Sequence, residues 1–217
     1  MSFPTQGSSG GGLATLVGAT LTSGKILYGV SSAAAERTLS GSVTWSHPLT
    51  WPALAFDMQE ATNFPDPEVI GSTSKRIVAS FADSGAEIAD LDPFTVPPEI
   101  DPDGTVTFEI VGISKTAASS KFVEFEYDHQ AAAASAAYDA AYSAVNSGDK
   151  ATDATQGDVE RHTWTETITN LGWTAGKTVK GRIKRTAPTG ANLMGDWQPW
   201  TFTILLPMKK AVTLAYA

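Results

Sequence analysis

Four segments of the chain alternate apolar and polar residues with a period of two, and this alternation constrains the fold more than any other feature. Successive side chains of a β-strand point to opposite faces, so the pattern predicts strands with one buried and one wet face. Half-buried strands of this kind are typical of antiparallel sheets, because parallel sheets are covered on both faces. The inward members are Val106, Phe108 and Ile110; Val123, Phe125 and Tyr127; Val179, Gly181 and Ile183; and Trp200, Phe202 and Ile204.

Prolines and glycines mark the connections between these strands. Residues 47–70 contain four X-Pro pairs, and we expect an irregular connection with contacts at a sheet edge, because proline lacks an N–H donor and restricts its predecessor. The run Asp101-Pro102-Asp103-Gly104 predicts a β-turn. It does not predict a calcium loop, because Val106 and Gly112 stand where that loop needs glycine and glutamate.

One segment favours a helix. Residues Gln130–Asn146 are rich in alanine and place Tyr138, Tyr142 and Val145 at helical spacing. Alanine has the highest helix propensity, so we predict one short helix there, ended at Gly148. The fold class predicted from the whole pattern is mainly β, an antiparallel jelly-roll-like β-sandwich with one short Ala-rich helix and an extended N-terminal arm.

The beginning of the chain differs in composition from the rest. Residues 1–12 are Gly- and Ser-rich, which predicts a flexible arm that orders only against a neighbour. Short apolar runs follow up to Trp45 and favour strands or a docking segment. We therefore divide the chain into an N-terminal arm or anchoring segment, residues 1–49, and a β-sandwich domain, residues 50–217. No segment resembles a signal peptide or a membrane span, so we expect no membrane insertion.

Charge and residue usage exclude several function classes. The formal net charge is −8, which repels nucleic acid, so we expect no nucleic-acid partner. The chain has no cysteine, which excludes disulfides, thiolate metal ligands and cysteine nucleophiles. The three histidines, His47, His129 and His162, are too widely separated for a metal-ligand motif. We predict no metal site and no cofactor.

No catalytic motif stands in a suitable context. The run Gly7-Ser8-Ser9-Gly10-Gly11 fits the G-x-S-x-G pattern, but the strand and helix that a nucleophile elbow needs are missing. Glu124 and Glu126 share one face of a strand, whereas glycosidase carboxylates flank the sugar from two sides. We assign no catalytic residue and predict that the chain is not an enzyme. The enzymatic alternative is a polysaccharide depolymerase that uses these glutamates.

A basic cluster and several tryptophans are the candidate contact residues. We expect the basic strand 178–185 to face carboxylates of a neighbouring strand or subunit, such as Glu109, Glu124 and Glu126. Binding of an anionic sugar or a lipopolysaccharide phosphate is the alternative. Tryptophans that recur along the strands of a β protein belong to a core or a subunit interface, or form a sugar-stacking platform. The possible interface or ligand contacts are Lys180, Arg182, Lys184, Arg185, Trp197 and Trp200.

From about Trp51 to Pro207 the order of features resembles a β-sandwich domain of many bacteriophage structural proteins. A proline-bearing segment precedes a Gly-Thr-Val-Thr strand, an apolar strand, an Ala-rich helical stretch and a polar loop. A strand of the form G-x-[I/V]-x-x-R, a second loop and a final apolar strand follow. The matching segments are 103–108, 123–127, 131–145, Gly181-Arg182-Ile183-Lys184-Arg185, 192–196 and 201–206. This sequence departs from the usual form around Thr186–Asp196, which leaves the role of that loop open.

The resemblance implies a bacteriophage virion structural protein of the head-fibre, capsid-decoration or tail-fibre type. It implies a homotrimer whose partners are other capsid or tail proteins, made in the host cytoplasm and located in the virion. The alternative is a receptor- or carbohydrate-binding module at a tail-fibre tip, with a host-surface glycan as partner.

Overall fold

The computed structural model describes residues 17–21, 24–27, 37–52, 55–56, 65–70, 76–82, 87–116, 120–136, 140–193 and 195–216. Within these residues the strands are β1 (Val17–Leu21), β2 (Gly24–Leu27), β3 (Arg37–Pro52), β4 (Asp66–Ile70), β5 (Arg76–Ser80), β6 (Ile88–Thr95), β7 (Thr105–Ser114), β8 (Phe122–Ala132), β9 (Ser143–Asn146), β10 (Lys150–Ala151), β11 (Val159–Thr167), β12 (Thr178–Thr186) and β13 (Trp197–Tyr216). A single-turn helix, α1 (Ile168–Leu171), follows β11. No helix in these ranges is long and apolar enough to cross a membrane.

The chain divides into two compact units. The described residues up to Trp45, together with Lys209 and the residues after it, form the first unit, and Ser46–Met208 form the second. We call these the terminal unit and the sandwich unit. The division crosses β3 and β13, and β3 also spans the predicted boundary between residues 49 and 50. The Gly- and Ser-rich residues 1–12 lie outside the described residues, so the anchoring arm stays a prediction.

Two sheets carry the fold, one of four strands and one of five. One sheet has the order β11-β7-β13-β3, and the other has the order β10-β8-β12-β6, with β9 also beside β8. The registered pairs in both sheets are antiparallel. β1 pairs with β2 and β4 pairs with β5 in two separate hairpins. Antiparallel β structure is therefore confirmed as the fold class.

The strand order identifies the sandwich as a jelly roll. The first strand, β3, pairs with the last, β13; β6 pairs with β12; β7 pairs with β11; and β8 pairs with β9 and β10. This nesting of first with last and second with second-last arises when one long antiparallel hairpin is rolled into two sheets. The jelly-roll-like sandwich predicted from the sequence is confirmed by this order.

Aromatic rings join the two sheets. Phe108 on β7 lies 5.0 Å from Tyr127 on β8, measured between ring centroids, and Phe202 on β13 lies 5.6 Å from Tyr127. The predicted inward rows of β7, β8 and β12 are buried, as the alternation indicated. Trp200 departs from its row because the pairing of β13 with β7 shifts between Pro199 and Thr201. Its side chain is half-buried rather than buried.

The Ala-rich helix predicted for Gln130–Asn146 is wrong. Its beginning is the end of β8, and its end is β9, which pairs back on β8 with Tyr127 opposite Val145. Between them the chain turns at 134–135 with Ser135 at a φ of 70°. Helix propensity is a weak preference that tertiary pairing overrides, and here the strand hydrogen bonds on β8 decide the conformation.

The irregular connection predicted for residues 47–70 is wrong at both ends of this range, because β3 extends to Pro52 and Asp66–Ile70 form β4. Residues 47–52 continue β3, although this stretch includes Pro48 and Pro52. β3 lies at the edge of its sheet. An edge strand tolerates proline because one of its sides has no ladder partner that would need the missing N–H.

Candidate functional site

The predicted contact residues of β12 separate onto two faces of the sheet. Lys180, Arg182 and Lys184 are half-buried on the outer face, whereas Arg185 is only 1% exposed and points inward. β12 lies between β8 and β6, so its outer side chains lie beside those of both neighbours. Strand alternation therefore divides the basic cluster of the sequence into a surface row and one buried arginine.

The outer row forms a ladder of opposite charges with β8. Arg182 is in register with Asp128 and donates from Nε to its Oδ2 over 2.9 Å. Lys184 is in register with Glu126, pairs with it, and also reaches Asp128 Oδ2 at 3.3 Å. Cross-strand pairs of this kind stabilise sheets. The predicted pairing with Glu126 is confirmed, whereas Glu109 pairs with Arg161 on β11 instead.

The ladder changes the acidity of the carboxyl groups around it. Burial disfavours the charged form of Asp128, but hydrogen bonds with Glu126, Arg182 and Lys184 outweigh burial and lower its pKa. The pKa of Glu124 is raised, first by burial and then by the charges of Asp149 and Glu126. The two glutamates of the depolymerase hypothesis share one strand face, where Glu126 is paired with Lys184 and Glu124 is in register with Thr186.

Arg185 fastens the loop whose role the sequence left open. Its Nη1 donates to the carbonyls of Phe81 at 3.1 Å and Gly195 at 2.6 Å. Its Nη2 donates to Asn192 Oδ1 at 3.2 Å and to the carbonyl of Leu193 at 2.7 Å. A guanidinium offers five fixed donors, so one side chain can satisfy several main-chain carbonyls. The segment 192–195 is therefore tied to the middle of the sandwich.

Trp197 belongs to a buried polar cluster around Glu160. Ser114 Oγ donates to Glu160 Oε1 over 2.5 Å, and the Trp197 indole donates to Oε2 over 3.1 Å. His162 Nε2 lies 3.0 Å from the same Oε2. Burial raises the pKa of Glu160, but these hydrogen bonds outweigh burial and lower it. The cluster connects β7, β11 and β13.

The cluster contains a serine, a histidine and a glutamate but lacks the geometry of a nucleophile. An activated serine needs its hydroxyl on the histidine and the histidine oriented by the acid. Here the serine and the histidine both contact the carboxylate, and all three side chains are buried. The sequence analysis missed Glu160, although the alternation of Glu160, His162 and Trp164 on one face was a usable signal.

A small cavity lies beside a second buried histidine. His129, predicted at a helix start, lies within β8 and accepts at Nδ1 from Trp173 Nε1 over 3.2 Å. Burial lowers its pKa, against the opposing charges of Asp128 and Glu166. The neutral ring then carries its proton on Nε2. A cavity of about 280 Å³ is lined by His129, Lys177, Ser143 and five alanines.

The turn at Asp101 is confirmed. Asp101 Oδ1 accepts from the main-chain N–H of Asp103, and the Asp101 carbonyl accepts from Gly104 over 3.0 Å. Both contacts belong to a turn rather than to a metal loop. Among the residues that the structure describes, no three acidic or histidine side chains are placed to hold a metal ion.

Comparisons with known proteins assign no family to the chain. No family model and no curated protein matches the chain. A solved structure, "Structure of infectious bursal disease virus Gx strain", matches with a TM-score of 0.36 and 9% identity, over 89% of this chain and 42% of that chain. The chain thus spans less than half the length of that viral chain. The jelly-roll assignment rests on the strand order alone.

Proposed function

We propose that this chain is a non-enzymatic structural protein of a bacteriophage particle, a homotrimeric fibre or capsid-decoration component attached through residues 1–49. Jelly rolls serve as viral capsid domains, but also as lectins and cupins, so the fold alone does not assign the function. The observation that carries the proposal is the filled interior. Phe108, Tyr127 and Phe202 pack ring on ring between the sheets, where a ligand-binding jelly roll needs space.

The polar groups support the same function. Glu160 and Arg185 are buried and use their hydrogen bonds to join separate strands and a loop. Arg182 and Lys184 are paired across the outer face. Buried, mutually satisfied groups of this kind make a shell rigid. A rigid shell is what a particle component needs, whereas a catalytic site needs a reachable reactive group.

The decisive experiment is the native mass of the full-length chain, measured by light scattering over a range of concentrations. We expect three times the chain mass of 22.8 kDa. A monomer at every concentration would overturn the homotrimer. Attachment is tested with a chain that starts at Arg37, which keeps β3 whole. We expect this shortened chain to keep its mass and its circular dichroism spectrum, and to lose binding to purified particles.

The second candidate function is glycan or receptor binding. It is favoured by the cavity at His129 and by Tyr142, whose two neighbours in the chain line that cavity. The Tyr142 ring is partly exposed, and its centroid lies 4.2 Å from the guanidinium carbon of Arg182. Sugars stack on exposed aromatic rings beside polar groups. Binding of the full-length chain to a glycan array, lost in Tyr142→Ala, would favour this function over a purely structural one.

A further inference from the structure

The two units carry opposite net charges. The terminal unit, residues 1–45 and 209–217, contains four basic residues and one acidic residue, a net charge of +3. The sandwich unit contains the remaining 11 basic and 22 acidic residues, a net charge of −11. Complementary charge steers association and suppresses wrong orientations. A basic terminal unit is therefore matched in charge to the acidic sandwich unit of another chain.

The terminal unit also exposes apolar side chains. On β3, Val43 is 53% exposed and Trp45 is 40% exposed. Both belong to one face of the strand, because they are two residues apart. All the residues from Val43 to Pro48 are exposed, so neither face of this part of β3 is covered. Scattered apolar residues on a surface are ordinary, but a tryptophan beside a valine on an edge strand forms a contact surface.

Lysines of β13 extend this surface. β13 pairs with β3, and the hydroxyls of Thr50 and Thr203 lie 3.1 Å apart across the pair. The rings of Trp51 and Phe202 lie 6.2 Å apart, so the two strands run in opposite directions. The residues up to Trp45 and those from Lys209 onward belong to one compact unit. Lys209 and Lys210 are both exposed. We call Val43, Trp45, Lys209 and Lys210 the edge patch.

We propose that the edge patch docks on the acidic sandwich unit of a second copy of this chain. The proposal rests on the homotrimer of the proposed function and names the surface that builds it. A symmetric contact of two edge patches would bring their lysines together, and like charges repel. A contact between two different surfaces avoids this repulsion, and such head-to-tail contacts close into rings. In a trimer, the edge patch of each copy then contacts the sandwich unit of the next copy around the ring.

Substitutions of exposed apolar residues, two inside the edge patch and one outside it, test the contact. Val43→Glu and Trp45→Glu place a charge in the edge patch, and Val159→Glu does so on β11, where Val159 is 58% exposed. The readout is the dissociation constant of the full-length assembly, from light scattering and sedimentation. We expect both edge-patch variants to raise it at least about tenfold, because a charge replaces an apolar contact. Val159→Glu adds to the acidic charge of the sandwich unit rather than placing a carboxylate in the basic edge patch, so it should not weaken the assembly.

The lysines give an independent test of the charge argument. Lys209→Glu together with Lys210→Glu should also weaken assembly, and 1 M salt should weaken the wild-type assembly because salt screens exposed charges. Circular dichroism and thermal unfolding establish that each variant is folded. A wild-type trimer that all the edge-patch variants leave intact would overturn this inference and keep the homotrimer. A wild-type monomer would overturn both.

Discussion

Strand β12 carries Arg182 on its outer face and Arg185 on its inner face, and the two arginines are held in different ways. Arg182, with 21% of its side chain exposed, pairs with the carboxylate of Asp128. Arg185 is 1% exposed and donates to main-chain carbonyls and one side-chain amide. Water can replace a partner of the first arginine but not of the second. In this sheet, the face on which a charge lies determines how much it contributes to stability.

The largest expected effect follows from removing the inner arginine. Arg185→Met keeps much of the side-chain volume but leaves the carbonyls of Phe81, Leu193 and Gly195 without this donor. Each buried acceptor left without a donor costs about 1–3 kcal/mol, so losing the donor to several of them costs about 3–5 kcal/mol. We expect this loss in the free energy of unfolding, measured by chemical denaturation, together with faster proteolysis within 186–196.

Arg182→Met on the outer face is the matched control for that substitution. Because its partner Asp128 keeps a contact with Lys184, we expect a loss of only about 1 kcal/mol. Equal losses at the two positions would contradict the comparison of the two faces. A larger loss at Arg182 would mean that the outer ladder, and not the buried arginine, stabilises the sheet.

The next effect concerns the Glu160 cluster. Glu160→Gln keeps the shape but turns one acceptor into a donor that faces Ser114, Trp197 or His162. A buried unsatisfied group costs about 1–3 kcal/mol, and we expect this loss at pH 7. The pKa of Glu160 is lowered in the folded state, so the contribution of this carboxylate to stability is complete above its ordinary pKa of 4.5 and is lost as the pH falls through the lower folded pKa.

Denaturation at a series of pH values checks this sign. The difference between wild type and Glu160→Gln should shrink as the pH falls below 4.5, because the wild-type carboxyl then becomes protonated as well. A difference that grows on acidification would contradict the lowered pKa. Ser114→Ala removes one donor and keeps the charge, so it should cost less than Glu160→Gln.

The sequence alone could have predicted that Arg182 and Arg185 lie on opposite faces of β12. We grouped Lys180, Arg182, Lys184 and Arg185 as one cluster, yet a strand places even and odd positions on opposite faces. The same alternation correctly predicted which apolar side chains are buried and, from them, the β-sandwich. What it cannot give is the partner of a buried group. Ser114 lies 46 residues from Glu160 in the chain, and only the pairing of β7 with β11 brings them together.

The Ala-rich segment shows the opposite limit. Local propensity favoured a helix over Gln130–Asn146, and the alanines do suit one. The conformation instead follows from hydrogen bonds to β8, which make Ser143–Asn146 a strand. A preference of a few tenths of a kcal/mol per residue does not compete with a completed strand pair. The sequence did not predict a role for the loop at 186–196 for the same reason, because Arg185 holds this loop through tertiary contacts.

A smaller effect is expected at His129, and it changes a slope rather than the stability at neutral pH. Burial lowers the folded pKa of His129 below its ordinary pKa of 6.5, so the unfolded chain takes up the proton first as the pH falls. Stability should therefore decline from pH 7.5 to pH 5.5. His129→Gln, whose amide oxygen can still accept from Trp173, should decline less. His47→Gln, at an exposed position of β3, is the control and should keep the wild-type slope.

The smallest effect is expected at the outer ladder. Lys184→Gln removes the pair with Glu126 and the contact with Asp128, but the lysine is 20% exposed and Arg182 remains beside Asp128. We expect a loss of about 0.5–1 kcal/mol at low salt. In 1 M salt the loss should shrink, because screening already weakens the wild-type pair. If salt leaves the loss unchanged, the ladder behaves like the buried face, and exposure is not what separates Arg182 from Arg185.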